Sequence, residues 1–166
     1  MTTKSNEMLS RGPILLVDDL ENVLDYTKAI LNHAGFTNII TYDCPLEALQ
    51  AVKDGLIPST VVTDFRMPGM NGADLLKAIS SIYPDTNAVI TTGDPETAKH
   101  STRFPVIEKG KPDFFKTLIG LLTKSKKKVS KQGIGNNLRK RSKPVAVAKR
   151  QSKKLCVKKP ERNENV

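Results

Sequence analysis

The sequence predicts an α/β domain built on a parallel sheet, and three observations carry that prediction. Short β-branched or aliphatic runs recur along the chain, among them Ile14-Leu15-Leu16-Val17, Val61-Val62-Thr63 and Ala88-Val89-Ile90-Thr91. This is how strands buried on both faces read. Segments with apolar residues near helical spacing separate the runs. Finally, the runs deliver carboxylates into loops: Asp18-Asp19 follows the first, and Asp64 enters the Pro/Gly-punctuated stretch F-R-M-P-G-M-N-G. Open α/β sheets gather their ligands at such C-terminal strand ends.

Taken in order, Ile14 to Val17 is the first strand. Glu21 to Ala34 follows as a helix, with Val23, Leu24, Ile30 and Leu31 as its apolar positions and Gly35 as its stop. Ile39-Ile40-Thr41-Tyr42 is a short strand, and Pro45 to Val52 a second amphipathic helix that ends near Gly55. The strand that ends at Asp64 leads through the Asn71-Gly72 turn into a third helix, Ala73 to Ile82. Ala88 to Thr91 runs into Thr92-Gly93, Phe104-Pro105-Val106-Ile107-Glu108 ends at Lys109, and Phe114 to Leu122 closes the domain as a last helix.

If the strands lie parallel in one sheet, Asp18, Asp19 and Asp64 converge on one edge. Three acids that close repel unless a cation sits among them. A few carboxylates with room for water and a phosphate describe magnesium better than calcium, which prefers more protein oxygens. Read alone, an Asp-Asp pair such as Asp18-Asp19 after an apolar run is usually a turn or a helix cap. The other strand ends add to the acids, however. Thr92 supplies a hydroxyl beside Gly93, which is small enough to let a phosphoryl group approach, and Lys109 supplies a flexible ammonium.

In this order the motifs I-L-L-V-D-D, V-T-D-F-R-M-P-G-M-N-G, V-I-T-T-G and V-I-E-K resemble the response-regulator receiver domain of two-component signalling, over residues 12 to 122. The resemblance implies a (βα)5 domain with a doubly wound, five-stranded parallel sheet of flavodoxin-like topology. It implies that Asp64 is the phosphoacceptor, attacking the phosphoryl group of a phosphohistidine on a sensor histidine kinase or phosphotransfer protein. Asp19, Asp64 and the carbonyl of Arg66 would bind Mg2+ directly, Asp18 would help through water, and Thr92 and Lys109 would hold the phosphoryl oxygens. Phosphoryl transfer needs positioning and charge neutralisation above all. The acyl phosphate is a reversible mark, and its output is a changed binding face.

The chain departs from the family in three places. Only 17 positions separate Thr92 from Lys109, so the fourth helix is expected to be short or irregular. The position of the family's aromatic switch residue holds Val106, and Phe104 stands two residues earlier. Lys111-Pro112 reproduces the family's Lys-Pro pair, while Lys109 directly follows the strand; Lys109 is favoured because the family lysine sits at the strand end. Arg66 and Asp94 should flank the mouth of the site, either as an ion pair that slows attack by water or as an exposed pair worth under ~1 kcal/mol.

The 166 residues divide into a short flexible N-terminus (1 to 11), one compact domain (12 to 123) and a tail (124 to 166). The tail carries 16 Lys and Arg against 2 Glu, a net of +14, whereas residues 1 to 123 carry 11 against 15, a net of −4. Without aromatic residues and with few large aliphatics, the tail should be disordered on its own. Lys126-Lys127-Lys128, Arg139-Lys140-Arg141 and Lys153-Lys154 look like phosphate contacts to DNA or RNA without sequence preference. No apolar face or lipidation signal points the tail to a membrane. A solvated tail without a dedicated partner is the plain alternative.

His33 and His100 lack metal-type spacing and read as surface residues. Cys44 and Cys156 are too few and too far apart to suggest a disulfide framework, which fits a reducing compartment. With no secretory segment and no long apolar run, the expected location is the cytoplasm. No segment outside the receiver is long or apolar enough for an enzymatic output domain, so the chain is not expected to be an enzyme. Two functions stand: a receiver that gates a nucleic-acid-binding tail, or a stand-alone receiver that acts by protein docking or phosphorelay with the tail incidental. A phosphorylation-dependent homodimer is compatible with either.

Overall fold

The computed structural model describes residues 12–129, with side chains described to residue 124. Residues 1–11 and 130–166, which include Arg139, Lys140, Arg141, Lys153 and Lys154, lie outside the described residues. The order of elements is β1 (Ile14–Val17), α1 (Glu21–His33), β2 (Ile39–Tyr42), α2 (Pro45–Lys53), β3 (Thr60–Asp64), α3 (Gly72–Ile82), β4 (Asn87–Thr92), α4 (Pro95–Ser101), β5 (Val106–Glu108) and α5 (Phe114–Val129). The five strands form one sheet in the order β2-β1-β3-β4-β5, all parallel. This is the doubly wound arrangement expected from the sequence. From β1 the chain crosses to one side and from β3 to the other, so the C-terminal ends of β1 and β3 flank the point where the winding reverses.

Strand side chains alternate between two packed layers, as a period of two requires. Leu15, Val17, Val61 and Ile90 pack with Ala48, Leu49 and Val52 of α2, Leu75, Leu76 and Ile79 of α3, and Ala98 of α4. Ile14, Leu16, Val62 and Val89 pack on the opposite face with Leu24 and Leu31 of α1 and Leu118 and Leu122 of α5. Leu15, Leu75 and Ile90 are completely buried, so truncating any of them to alanine would cost about 2–5 kcal/mol. Both faces of the sheet are thereby sealed, and only its ends are left for chemistry.

Local signals explain most boundaries. Gly35 adopts φ +85° after α1, and Phe36 N–H returns to the Leu31 carbonyl at 2.9 Å, a left-handed stop that a side chain would strain. Asn71 caps α3 by accepting from Asp74 N–H at 2.9 Å. The fourth helix is short, as expected, at 7 residues. β5 starts at Val106 rather than Phe104, because Pro105 has no N–H for the ladder and contributes only its carbonyl, to Ile90 N–H at 2.8 Å.

Two expectations are corrected. The last helix does not end at Leu122 but runs to Val129, so Lys126, Lys127 and Lys128, assigned to the tail, continue its backbone. Lys and Ser sustain a helix once packing of Leu118 and Leu122 has nucleated it, and the run 124–129 contains no Gly or Pro to stop it. Cys44, buried just before α2, is disulfide-bonded, whereas two distant cysteines suggested none.

Candidate phosphoacceptor site

Parallel pairing fixes which residues meet at the sheet's C-terminal edge. Val17 lies beside Thr63, Asp64 beside Thr91, and Thr92 beside Glu108. The next residue along each chain is therefore delivered to the same rim: Asp18 after β1, and Lys109 after β5. Lys109 N–H donates to the Thr92 carbonyl at 2.7 Å, which extends the ladder one step and holds the base of the lysine against β4.

The central contact is a bridge. Lys109 Nζ lies 2.6 Å from Asp18 Oδ2 and 2.5 Å from Asp64 Oδ1, so one ammonium joins two carboxylates from different strands. Both acids are buried, at 5% and 8% exposure, and the shared ammonium offsets the cost of taking two like charges out of water. Their other oxygens are occupied by main chain. Leu20 N–H donates to Asp18 Oδ1 at 3.1 Å, and Arg66 N–H donates to Asp64 Oδ2 at 2.7 Å. Burial pushes the Asp18 carboxyl above the usual aspartate range, and the neighbouring Asp64 charge adds to this, against the pull of Lys109. Burial acts to lower Lys109, but its bonds and attractions to both aspartates outweigh it and hold the ammonium above the ordinary lysine value.

Lys111, the rival for this role, is exposed and lies 3.6 Å from Glu108, so the geometry selects Lys109. Asp19 shares the edge but not the bridge. The bridge takes in two of the three acids, and among the described residues no group of three or more His, Cys, Asp or Glu side chains is gathered into one cluster. The reason lies in the turn after β1, where Asp18 points inward to Lys109 and Asp19 is left more exposed. Thr92 is buried, and its Oγ1 accepts from Asp94 N–H at 3.1 Å, turned toward its own loop.

Arg66 and Asp94 do meet, at 2.5 Å, both on the surface. Asp94 also caps α4, accepting from Thr97 N–H at 3.3 Å and Thr97 Oγ1 at 2.7 Å. The Thr97 bonds, aided by Arg66, hold its carboxyl below the usual range. A residue the sequence reading left out is Gly72. A Cβ there would stand 2.1 Å from the Asp64 carbonyl oxygen, so glycine is what lets α3 begin directly beneath the acceptor strand. The signal was present in the Asn71-Gly72 pair, read only as a turn. His33 and His100 are exposed, as expected.

A five-stranded parallel α/β sheet with an acid–lysine–acid bridge at its winding reversal defines a doubly wound domain with its site at the C-terminal edge. Residues 14–115 match the family described as the response regulator receiver domain, and the chain belongs to that family. Over 66 residues it is 46% identical to the chemotaxis protein CheY-3 of Vibrio cholerae, covering 40% of this chain and 50% of that protein. Over 84 residues it is 33% identical to the DNA-binding transcriptional regulator NtrC of Escherichia coli K12, covering 51% of this chain and 18% of that one. The chain thus spans about half the length of the chemotaxis relative it matches. A solved response regulator receiver protein from Sinorhizobium medicae shares the fold at TM-score 0.63 and 24% identity, covering 70% of this chain and 95% of its own. Receiver domains of this family bind Mg2+ at the phosphorylation site and interact with histidine kinases or phosphotransfer proteins.

Proposed function

We propose that this chain is a response regulator in which Asp64 accepts a phosphoryl group, in a magnesium-dependent reaction, from a phosphohistidine of a sensor histidine kinase or phosphotransfer protein. The observation that carries this reading is the bridge from Lys109 Nζ to Asp18 Oδ2 and Asp64 Oδ1 at the sheet's C-terminal edge. Two buried carboxylates already drawn to one cation are a donor set that fits magnesium, which takes few protein carboxylates and keeps its other positions for water and phosphate. Asp19, Asp64 and the carbonyl of Arg66 would hold it directly, with Asp18 helping through water. When bound, the ion neutralises phosphoryl oxygens and leaves the Asp64 carboxylate free to react.

Asp64 does the covalent work. One carboxylate oxygen forms a bond to phosphorus, the phosphorus–nitrogen bond to the histidine ring breaks, and the ring nitrogen leaves with the electron pair. The product is an acyl phosphate, which water later hydrolyses to restore the carboxylate. Arg66 N–H fixes the carboxylate's rotation through Oδ2. Lys109, charged at neutral pH, can exchange a carboxylate for a phosphoryl oxygen without crossing low dielectric unpaired. Thr92 has a single hydroxyl to spend, now shared with the Asp94 main chain, and turning it toward a phosphoryl group would loosen that loop. The chain switches a binding surface and is not itself an enzyme; it acts in the cytoplasm. Among the described residues no helix is long and apolar enough to cross a membrane.

The basic tail extends this reading. Its clusters Lys126-Lys127-Lys128, Arg139-Lys140-Arg141 and Lys153-Lys154 would bind DNA or RNA phosphates without sequence preference. The first test is phosphoryl incorporation from acetyl phosphate, comparing wild type with Asp64→Asn, with magnesium and with EDTA. Incorporation that needs both magnesium and Asp64 is expected. No incorporation from acetyl phosphate or from a phosphorylated histidine kinase would refute the assignment and leave a receiver-shaped binding module.

A further inference from the structure

On the α1/α5 side, the two helices do not close completely over the sheet. Between them lies a cavity of about 410 Å³, within the range of small-molecule sites. Leu16, Val62 and Thr91, from three neighbouring strands, form its floor. Val23 and Thr27 of α1 face Phe114, Phe115 and Leu118 of α5 across it. The aromatic rings pack on one another along this wall, Tyr26 edge-on to Phe115 at 5.5 Å and Phe115 edge-on to Phe114 at 4.8 Å between centroids.

The floor offers water little. Thr91 Oγ1, its one hydroxyl, is committed to the Thr63 carbonyl at 3.3 Å, and among the described residues no buried side-chain polar atom lacks a partner. A water molecule needs two to four polar partners to stay in a cavity, so an apolar group is the better occupant. The rim is different in character, being formed in part by Asp18, Lys109 and Lys111. The Lys109 ammonium is engaged by two aspartates, whereas Lys111 is 57% exposed and, among the described residues, pairs only with Glu108, at 3.6 Å. In that long, exposed pair its ammonium can also meet an anion at the mouth.

We infer that this cavity is a ligand site for a small amphipathic anion, whose flat apolar body lies between α1 and α5 and whose anionic group pairs with Lys111. Apolar walls with an exposed lysine at the entrance are the complement of such a molecule. The inference stands on the cavity alone and does not depend on phosphorylation. It has a consequence for the neighbouring site, because Asp18 and Lys109 line the cavity as well as the acid bridge.

The test uses 8-anilinonaphthalene-1-sulfonate, an aromatic body with one sulfonate, titrated into the full chain and followed by fluorescence. Saturable one-to-one binding is expected. Val23→Trp and Thr27→Trp fill the cavity from α1 and should each abolish it, read on whichever variant keeps the wild-type urea midpoint. Lys111→Glu should weaken the dye about tenfold, while leaving the affinity of neutral N-phenyl-1-naphthylamine unchanged. Since the basic tail is identical in all variants, dye held there would be lost from none of them. Absent or non-saturable binding, or equal binding by the filled variants, would overturn the site. Equal sulfonate binding by Lys111→Glu would overturn the pairing with an anion.

Discussion

The acid bridge makes a quantitative prediction about stability. Two oxygens bonded to one Nζ at 2.6 and 2.5 Å can be no more than 5.1 Å apart. At an effective dielectric of ~20, like charges at that separation repel by about 3 kcal/mol. Lys109→Met removes the cation and leaves this repulsion in a buried pair, so the variant should lose about 2–3 kcal/mol at pH 7 in EDTA, the figure being discounted because the lysine side chain is 27% exposed. Asp18→Asn should act oppositely. It gives up one attraction to Lys109 but removes both the repulsion from Asp64 and the cost of burying a charge, and burial is the largest influence on Asp18. A gain in stability follows. Combining Asp18→Asn with Lys109→Met should recover most of the lysine variant's loss, a coupling of at least ~1 kcal/mol. Urea unfolding of the four proteins measures this directly. A Lys109→Met protein within ~0.5 kcal/mol of wild type, or a double variant no better than the single one, would refute the electrostatic account. The pH dependence carries the same sign. A raised Asp18 pKa favours the folded state at low pH, and that contribution fades as pH rises through the folded value from just above 3.8. Asp18→Asn should therefore lack a stability component that wild type loses as pH rises above 3.8.

Three further outcomes follow from named contacts. Asp94→Ala removes the ion pair at the mouth of the site and the cap of α4, and should shorten the lifetime of the phosphorylated form by a few-fold at most; an unchanged half-life of the radiolabelled protein would remove any shielding role. Gly72→Ala drives a Cβ into the Asp64 carbonyl, so it should cost about 1–3 kcal/mol in urea unfolding and slow phosphorylation as well; retention of both would mean that the loop yields easily. Binding of DNA or RNA, if about 8 phosphates are neutralised, should weaken with salt at a log–log slope near −7 and fall sharply, with a shallower slope, on truncation after Val129, which leaves only the Lys126-Lys127-Lys128 cluster; a flat salt response in fluorescence anisotropy would exclude phosphate contacts.

Much of the site was legible because its chemistry sits where apolar runs stop. Asp18, Asp64, Thr92 and Lys109 each follow or end a strand, and parallel pairing turns four positions in sequence into one rim. Boundaries set by backbone rules were equally readable, as at Gly35. What the sequence could not supply was the direction of side chains around a turn. Asp18 and Asp19 are adjacent and chemically identical, yet one joins Lys109 and the other does not. The end of α5 was missed for a different reason: charge composition was taken as the end of order, whereas a helix already nucleated by Leu118 and Leu122 can continue through lysines.

That continuation bears on how a signal would leave the site. α4 has 7 residues and is capped by Asp94, whose N–H is bonded to Thr92 Oγ1 and whose carboxylate is shared between Thr97 and Arg66. A hydroxyl pulled away from Asp94 would therefore disturb the cap of a helix too short to hold itself by propensity. The aromatic residue that could report such a change is Phe104, packed against the core between α4 and β5, since Val106 has no ring to turn. On the other side of the sheet, the Lys109 backbone is tied to β4, and its ammonium to β1 and β3. The chain then passes from Lys109 within a few residues into α5, whose backbone continues through Lys126-Lys127-Lys128. One occupied site would thus act on two elements at once, a marginal helix on one face and, on the other, a continuous helix that leads into the basic segment. Such a path would couple the receiver to its tail, and truncation after Val129, which spares α5, tests that coupling against an incidental tail.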